Sequence, residues 1–210
     1  MQPLSLTYSF FKNIFHFFLL FIALLIFSNA ESQPVKVQVS YVAKFNHSGG
    51  DTIYYDPGRK LSWRDFKGTP VQNTFEAALT SSGYAYDAGV EFSDKNILLR
   101  IGVFSFFTKH NSLKRHNIND SFHLEHEQHH FDITYLGALN FIKEIQRTHF
   151  TVENYGQQLR AIFKKSYLEN NQWQDQYDKE TSHSVNVVQQ TEWNKKINGL
   201  LANAAPGANL

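Results

Sequence analysis

Residues 119–135 read Asn-Asp-Ser-Phe-His-Leu-Glu-His-Glu-Gln-His-His-Phe-Asp-Ile-Thr-Tyr, and within them the hydrophobic period changes. Upstream, Val35 to Val42 alternate apolar and polar residues, and Ile97 to Phe107 form a β-branched and aromatic run, the patterns of strands. Downstream, Leu124, Phe131, Tyr135, Ala138, Ile142 and Ile145 fall on one stripe at about 100° per residue, with Asn119 or Asp120 available as a cap. This order predicts an α+β fold, a small mainly antiparallel sheet followed by long helices.

The strand half adds a short strand at Ile53-Tyr54-Tyr55, between the turn-rich stretches Asn46 to Asp51 and Asp56-Pro57-Gly58. Further strands are expected over Ala77–Tyr86 and Gly89–Phe92, divided by a turn at Asp87-Ala88-Gly89, with another turn at Ser93 to Asn96. On the helical side, a second helix is expected from near Thr151, burying Tyr155, Leu159, Ile162 and Phe163, and a third over Ser184–Leu201. Residues 203–210 read as a disordered tail.

The amino terminus differs. Lys12 precedes an apolar run from Phe17 to Phe27, shorter than the roughly 20 residues a bilayer needs, and Ser28-Asn29-Ala30 offers small residues for cleavage after Ala30. Residues 1–30 thus read as a signal peptide and 31–202 as one exported domain, periplasmic or extracellular. An uncleaved segment would instead anchor the chain to a membrane. The 20 Lys and Arg balance 19 Asp and Glu, which gives little long-range attraction for nucleic acid. There is no Cys, so a metal site must be built from His and carboxylates.

His126-Glu127-Gln128-His129-His130 spells H-E-x-x-H inside the expected helix. His126 and His130 lie about 40° apart and one turn removed, so both imidazoles reach one ion. Glu127, about 100° further round, can address a water without ligating, as a general base must. His123 projects on the same side and reads as a ligand, an outer donor or a rim residue. His129 reads as a solvated position, and Asp132 as an orienting or ordinary surface carboxylate. A catalytic zinc takes three protein ligands. No further His follows His130 within eight residues, and the best remaining donors lie in Tyr177-Asp178-Lys179-Glu180-Thr181-Ser182-His183, where His183 and Glu180 are nearly tied.

Trp63-Arg64-Asp65-Phe66 with Gly68 and Pro70, then His126-Glu127-Gln128-x-His130-Phe131-Asp132, then Tyr177-Asp178-x-x-Thr181-x-His183, resemble a family of exported bacterial proteins regarded as zinc-dependent peptidases. That family is described as zincin-like and lacks an assigned substrate. The resemblance spans approximately residues 60–195. It implies His126 and His130 as zinc ligands, Glu127 as the catalytic carboxylate and His183 as the third ligand. The family's usual Gly after that His is here Ser184, and the residue between Gln128 and His130, often small, is His129. Trp63 then reads as a wall of the substrate cleft or as core.

The function expected is hydrolysis of a peptide or related amide outside the cytoplasm, on one zinc ion, with Glu127 moving the proton and Tyr177 offered as a donor to the oxyanion. The partner implied is a peptide or protein substrate, not nucleic acid. The rival expectation is a periplasmic protein that captures metal or acts as a scaffold without turnover. An anchored module that only binds partners is a weaker third.

Overall fold

A computed structural model of the protein describes residues 35–44, 49–70, 76–93 and 96–204. The signal-peptide reading, with its cleavage after Ala30, and residues 205–210 lie outside the described residues. Asn203 and Ala204, expected in the tail, instead end the last helix.

Among the described residues, six strands precede three α-helices: β1 (Val35–Tyr41), β2 (Thr52–Tyr54), β3 (Ala78–Leu79), β4 (Ser82–Ser93), β5 (Asn96–Thr108) and β6 (Leu113–Lys114). The long β5 is central. β4 pairs antiparallel along its whole length, from Ser82 opposite Phe107 to Ser93 opposite Asn96. The other side of β5 is shared by β1, parallel to it from Ile97 to Val103, and by β2, antiparallel from Phe106 to Thr108. β3 and β6 form a separate antiparallel pair.

The expected α+β order, a small sheet followed by long helices, is present, and three of the four strand pairings among the described residues are antiparallel. The one parallel pairing, β1 with β5, makes the main sheet mixed, because the chain leaves β1, runs through β2 to β4, and only then enters β5 beside it in the same direction. One expectation is corrected. No turn divides residues 87–89. Asp87, Ala88 and Gly89 stay paired with Gly102, Ile101 and Arg100, so the uninterrupted partner strand outweighs their turn propensity. The alternation expected over Val35–Val42 is present over Val35–Tyr41 as a strand that buries every second residue at least in part.

The helices are α1 (Ser121–Arg147), α2 (Tyr155–Thr181) and α3 (Val187–Ala204). Asp120 caps α1, its side chain accepting from the His123 amide at 3.0 Å. The C-terminal half of α1 lays Ala138, Phe141, Ile142 and Ile145 on Leu99, Ile101 and Val103 of the sheet. Its middle packs Phe131 and Tyr135 against Ile53, Tyr55, Phe66 and Phe107. Fully buried side chains of this size each stabilise by about 1.5–3 kcal/mol, so α1 is the spine of the fold. Gly137 permits the close approach of α2: a Cβ there would stand 2.4 Å from Asn170 Nδ2. None of the described helices is long and apolar enough to cross a membrane.

Candidate metal centre

His126 and His130 emerge from α1 one turn apart, and α2 crosses beneath them. Their Nε2 atoms lie 3.2 Å from each other, and Asp178 Oδ1 sits 3.1 Å from the first and 3.0 Å from the second. Bonds of about 2.0–2.2 Å in a tetrahedral set would space the donors about 3.3–3.6 Å apart, so these three atoms need little adjustment to hold one ion. They are the one group among the described residues in which three such ligand atoms converge.

The outer nitrogens support that fit. His126 Nδ1 donates to Gln190 Oε1 at 2.8 Å, and His130 Nδ1 donates to Gln174 Oε1 at 2.6 Å. Each amide is oriented by its own donor end: Gln190 Nε2 goes to Tyr177 Oη and Asn194 Oδ1, and Gln174 Nε2 to the His130 carbonyl. Both imidazoles therefore carry Nδ1 protons and turn Nε2 lone pairs toward the carboxylate, the second layer a metal-binding histidine requires. Three lone-pair atoms so close need a cation among them. Without a metal, a proton fills that need. Burial alone would lower the His130 pKa, but the hydrogen-bonded Asp178 carboxylate outweighs it and pushes His130 up to about 9. Burial likewise works to raise Asp178, yet the two imidazoles hold it well below the usual carboxylate range.

Glu127 is buried, and its Oε2 accepts from Thr80 Oγ1 at 2.6 Å, so the segment between β3 and β4 fixes its carboxylate. It lines the same cavity, about 180 Å³, as His126, His130 and Asp178. Beneath the site, Tyr177 stacks on His126 with ring centroids 4.6 Å apart. Its hydroxyl accepts from Gln190 and donates to the His126 carbonyl. Tyr177 is wholly buried and is not among the cavity walls, so the oxyanion role expected for it does not fit: the phenol ring supports the His126 imidazole.

The third convergent donor is Asp178, not the expected His183 or Glu180. Sequence reading set these residues beside a loop, whereas α2 continues through Thr181 and turns Asp178 inward. Glu180 faces elsewhere, accepting from Gln176 and from Trp193 Nε1. His183 remains at the cavity wall, its Nδ1 3.4 Å from Asp178 Oδ1, on a turn where Ser182, His183 and Ser184 all have positive φ. A signal for Asp178 was present. Ser166, Asn170, Gln174 and Asp178 recur every four residues, a polar ladder reaching Tyr84, the Ile133 carbonyl, His130 and the ion site in turn.

The other motif residues serve a different task. Gln128 Oε1 accepts from the Leu61 amide at 2.7 Å, and Asp132 Oδ1 accepts from Tyr55 Oη and Gln128 Nε2, both at 2.8 Å. His129, expected in solvent, is buried because its Nδ1 lies 3.0 Å from Asp132 Oδ2, with Lys60 Nζ nearby at 3.7 Å. His123 pairs with the capping Asp120 and takes no part in the ion site. Trp63 is not among the cavity walls. Its ring packs on Phe66 and its Nε1 donates to the Asp120 carbonyl, tying the Trp-Arg-Asp-Phe turn to the start of α1. At Gly68 a Cβ would meet the His110 and Ser112 carbonyls at 2.8 and 2.9 Å, so glycine is needed where this segment passes β6.

No family model matches the chain, and comparison with curated proteins and with solved structures gave no match.

Proposed function

We propose that the protein is a zinc-dependent hydrolase of peptide or related amide bonds, acting outside the cytoplasm. The observation that carries this reading is the convergence of His126, His130 and Asp178 on one point in a cavity that also holds the Glu127 carboxylate. Three protein ligands leave a coordination position for chemistry, and two imidazoles with one carboxylate suit zinc. A bound divalent ion supplies Lewis acidity, polarising a carbonyl and making water acidic near neutral pH.

The chain's own residues perform the proton traffic. Glu127 takes a proton from the attacking water as the water oxygen bonds to the carbonyl carbon, then delivers it to the amine nitrogen as the C–N bond breaks. Thr80 holds the carboxylate in place through one oxygen, which leaves the other for the water. Gln174 and Gln190 keep both imidazoles in the ligating tautomer.

Glu127→Gln is the direct test. Zinc stoichiometry should stay at one ion per chain while turnover of a quenched fluorescent peptide library falls at least about 1,000-fold. Full activity in that variant would refute the mechanism. A specific observation keeps one rival in view: His183, beside Asp178, is placed to close the ion site as a fourth ligand, which would make the metal structural. That reading requires His183→Ala to weaken zinc binding as much as Asp178→Ala does.

A further inference from the structure

The hydrogen-bond capacity of the cavity wall beyond the ion site is unevenly spent. Gln174 uses its whole amide: Oε1 on His130 Nδ1, Nε2 on the His130 carbonyl and on Thr134 Oγ1. Thr134 donates to the His130 carbonyl, so Ser82, 2.7 Å away, is the donor in their contact and keeps only lone pairs for the cavity. Asn170 donates through Nδ2 to the Ile133 carbonyl, and its Oδ1 has no partner among the described residues. Glu76 adds a carboxylate, and no lysine or arginine among the described residues lines the space. Three carboxylates, Glu76, Glu127 and Asp178, also outweigh the two charges of a divalent ion. The inner wall thus offers acceptors and negative charge, while Tyr167 and Asn171 stand exposed at the mouth.

We infer that this cavity is a specificity pocket for a side chain ending in a cationic nitrogen, lysine or arginine, next to the bond that is cleaved. The inference rests on the hydrolytic reading for the position of that side chain, and on the wall chemistry for its charge. The ion site and this wall share a volume of about 180 Å³, so the space admits no more than one such side chain. Glu76 supplies the charge, and Ser82 Oγ and Asn170 Oδ1 supply acceptors for the N–H groups. An apolar side chain would leave these acceptors unpaired, and an acidic one would meet Glu76.

The test uses the zinc-loaded Glu127→Gln protein, which binds without turnover, and fluorescent alanine-based peptides carrying a single lysine, norleucine or glutamate. Norleucine keeps the four-carbon chain of lysine without its nitrogen. By anisotropy the lysine peptide should bind about tenfold tighter than norleucine, with glutamate weakest. Adding Glu76→Gln should cut that ratio to about threefold, and Glu76→Lys should reverse the order of lysine and glutamate. Equal binding of lysine and norleucine, or a ratio indifferent to both Glu76 changes, would overturn the pocket assignment. Wild-type protein on the same peptides separates the two claims. Lysine-selective binding without cleavage overturns the hydrolytic reading alone, and cleavage without lysine preference overturns the pocket alone.

Discussion

Two faces of α1 carry buried polar networks built from adjacent residues of one motif, and they are finished differently. On one face Asp132 has its carboxylate oxygens filled by Tyr55, Gln128 and His129, with Lys60 alongside. On the other, His126, His130 and Asp178 point three lone-pair atoms at a common centre. A buried carboxylate surrounded by donors is a clamp, here holding the 55–66 loop to the helix. Buried acceptors aimed at one another demand a cation. Charge compensation, more than residue type, separates the histidine and aspartate of the clamp from the group that could hold an ion.

Breaking the clamp should have the largest effect. Asp132→Ala strands the Tyr55 hydroxyl, the Gln128 amide and the His129 ring, and is expected to cost about 3 kcal/mol or more in denaturant unfolding, with zinc stoichiometry unchanged in the folded fraction. The same carboxylate sets a pH dependence. Although burial works to raise it, the His129, Lys60, Gln128 and Tyr55 contacts lower its folded pKa. Its contribution is therefore complete above the unfolded value of about 3.9 and is lost as pH falls through the lower folded value. In Asp132→Asn, urea midpoints measured down the acid limb should lose this component of the pH dependence.

Breaking the open face should act on metal first. Removing one amide behind an imidazole, Gln190→Leu, should weaken zinc binding by about 10–100-fold in a chelator competition, because the ring loses the acceptor that fixes its tautomer. An unchanged affinity would mean that His126 is oriented by packing alone. The smallest effect is expected beside His183. Ser184 has φ 71° and a buried hydroxyl without a partner among the described residues. Ser184→Gly should stabilise by about 0.5–1 kcal/mol in thermal unfolding, since glycine enters the left-handed region without strain. A loss of stability would show that the hydroxyl makes a compensating bond.

Much of this was legible in residue order. The change of period at residue 119 separates sheet from helices, and Asp120 caps where a cap was expected. His126, Glu127 and His130 follow from helical pitch alone. What escaped the reading depends on contacts across the chain. The parallel pairing of β1 with β5 is set by the long connection between them, which strand periodicity does not encode. His129 looked solvated because Tyr55, Lys60 and Leu61, which bury its i+3 partner Asp132 and flank this part of the helix, come beside it only once the 55–66 loop is folded over the helix. Asp178 was passed over because a charged residue near a helix end usually faces water. Its four-residue spacing from Gln174 and Asn170 was the clue that this end turns inward.

Zinc affinity compared across wild type, Asp178→Ala and His183→Ala bears most directly on the assignment of the ion site. One ion per chain should bind wild type, Asp178→Ala should weaken binding by more than about 100-fold, and His183→Ala should change it by less than about threefold. Undiminished binding in Asp178→Ala, or a collapse in His183→Ala, would contradict the site described.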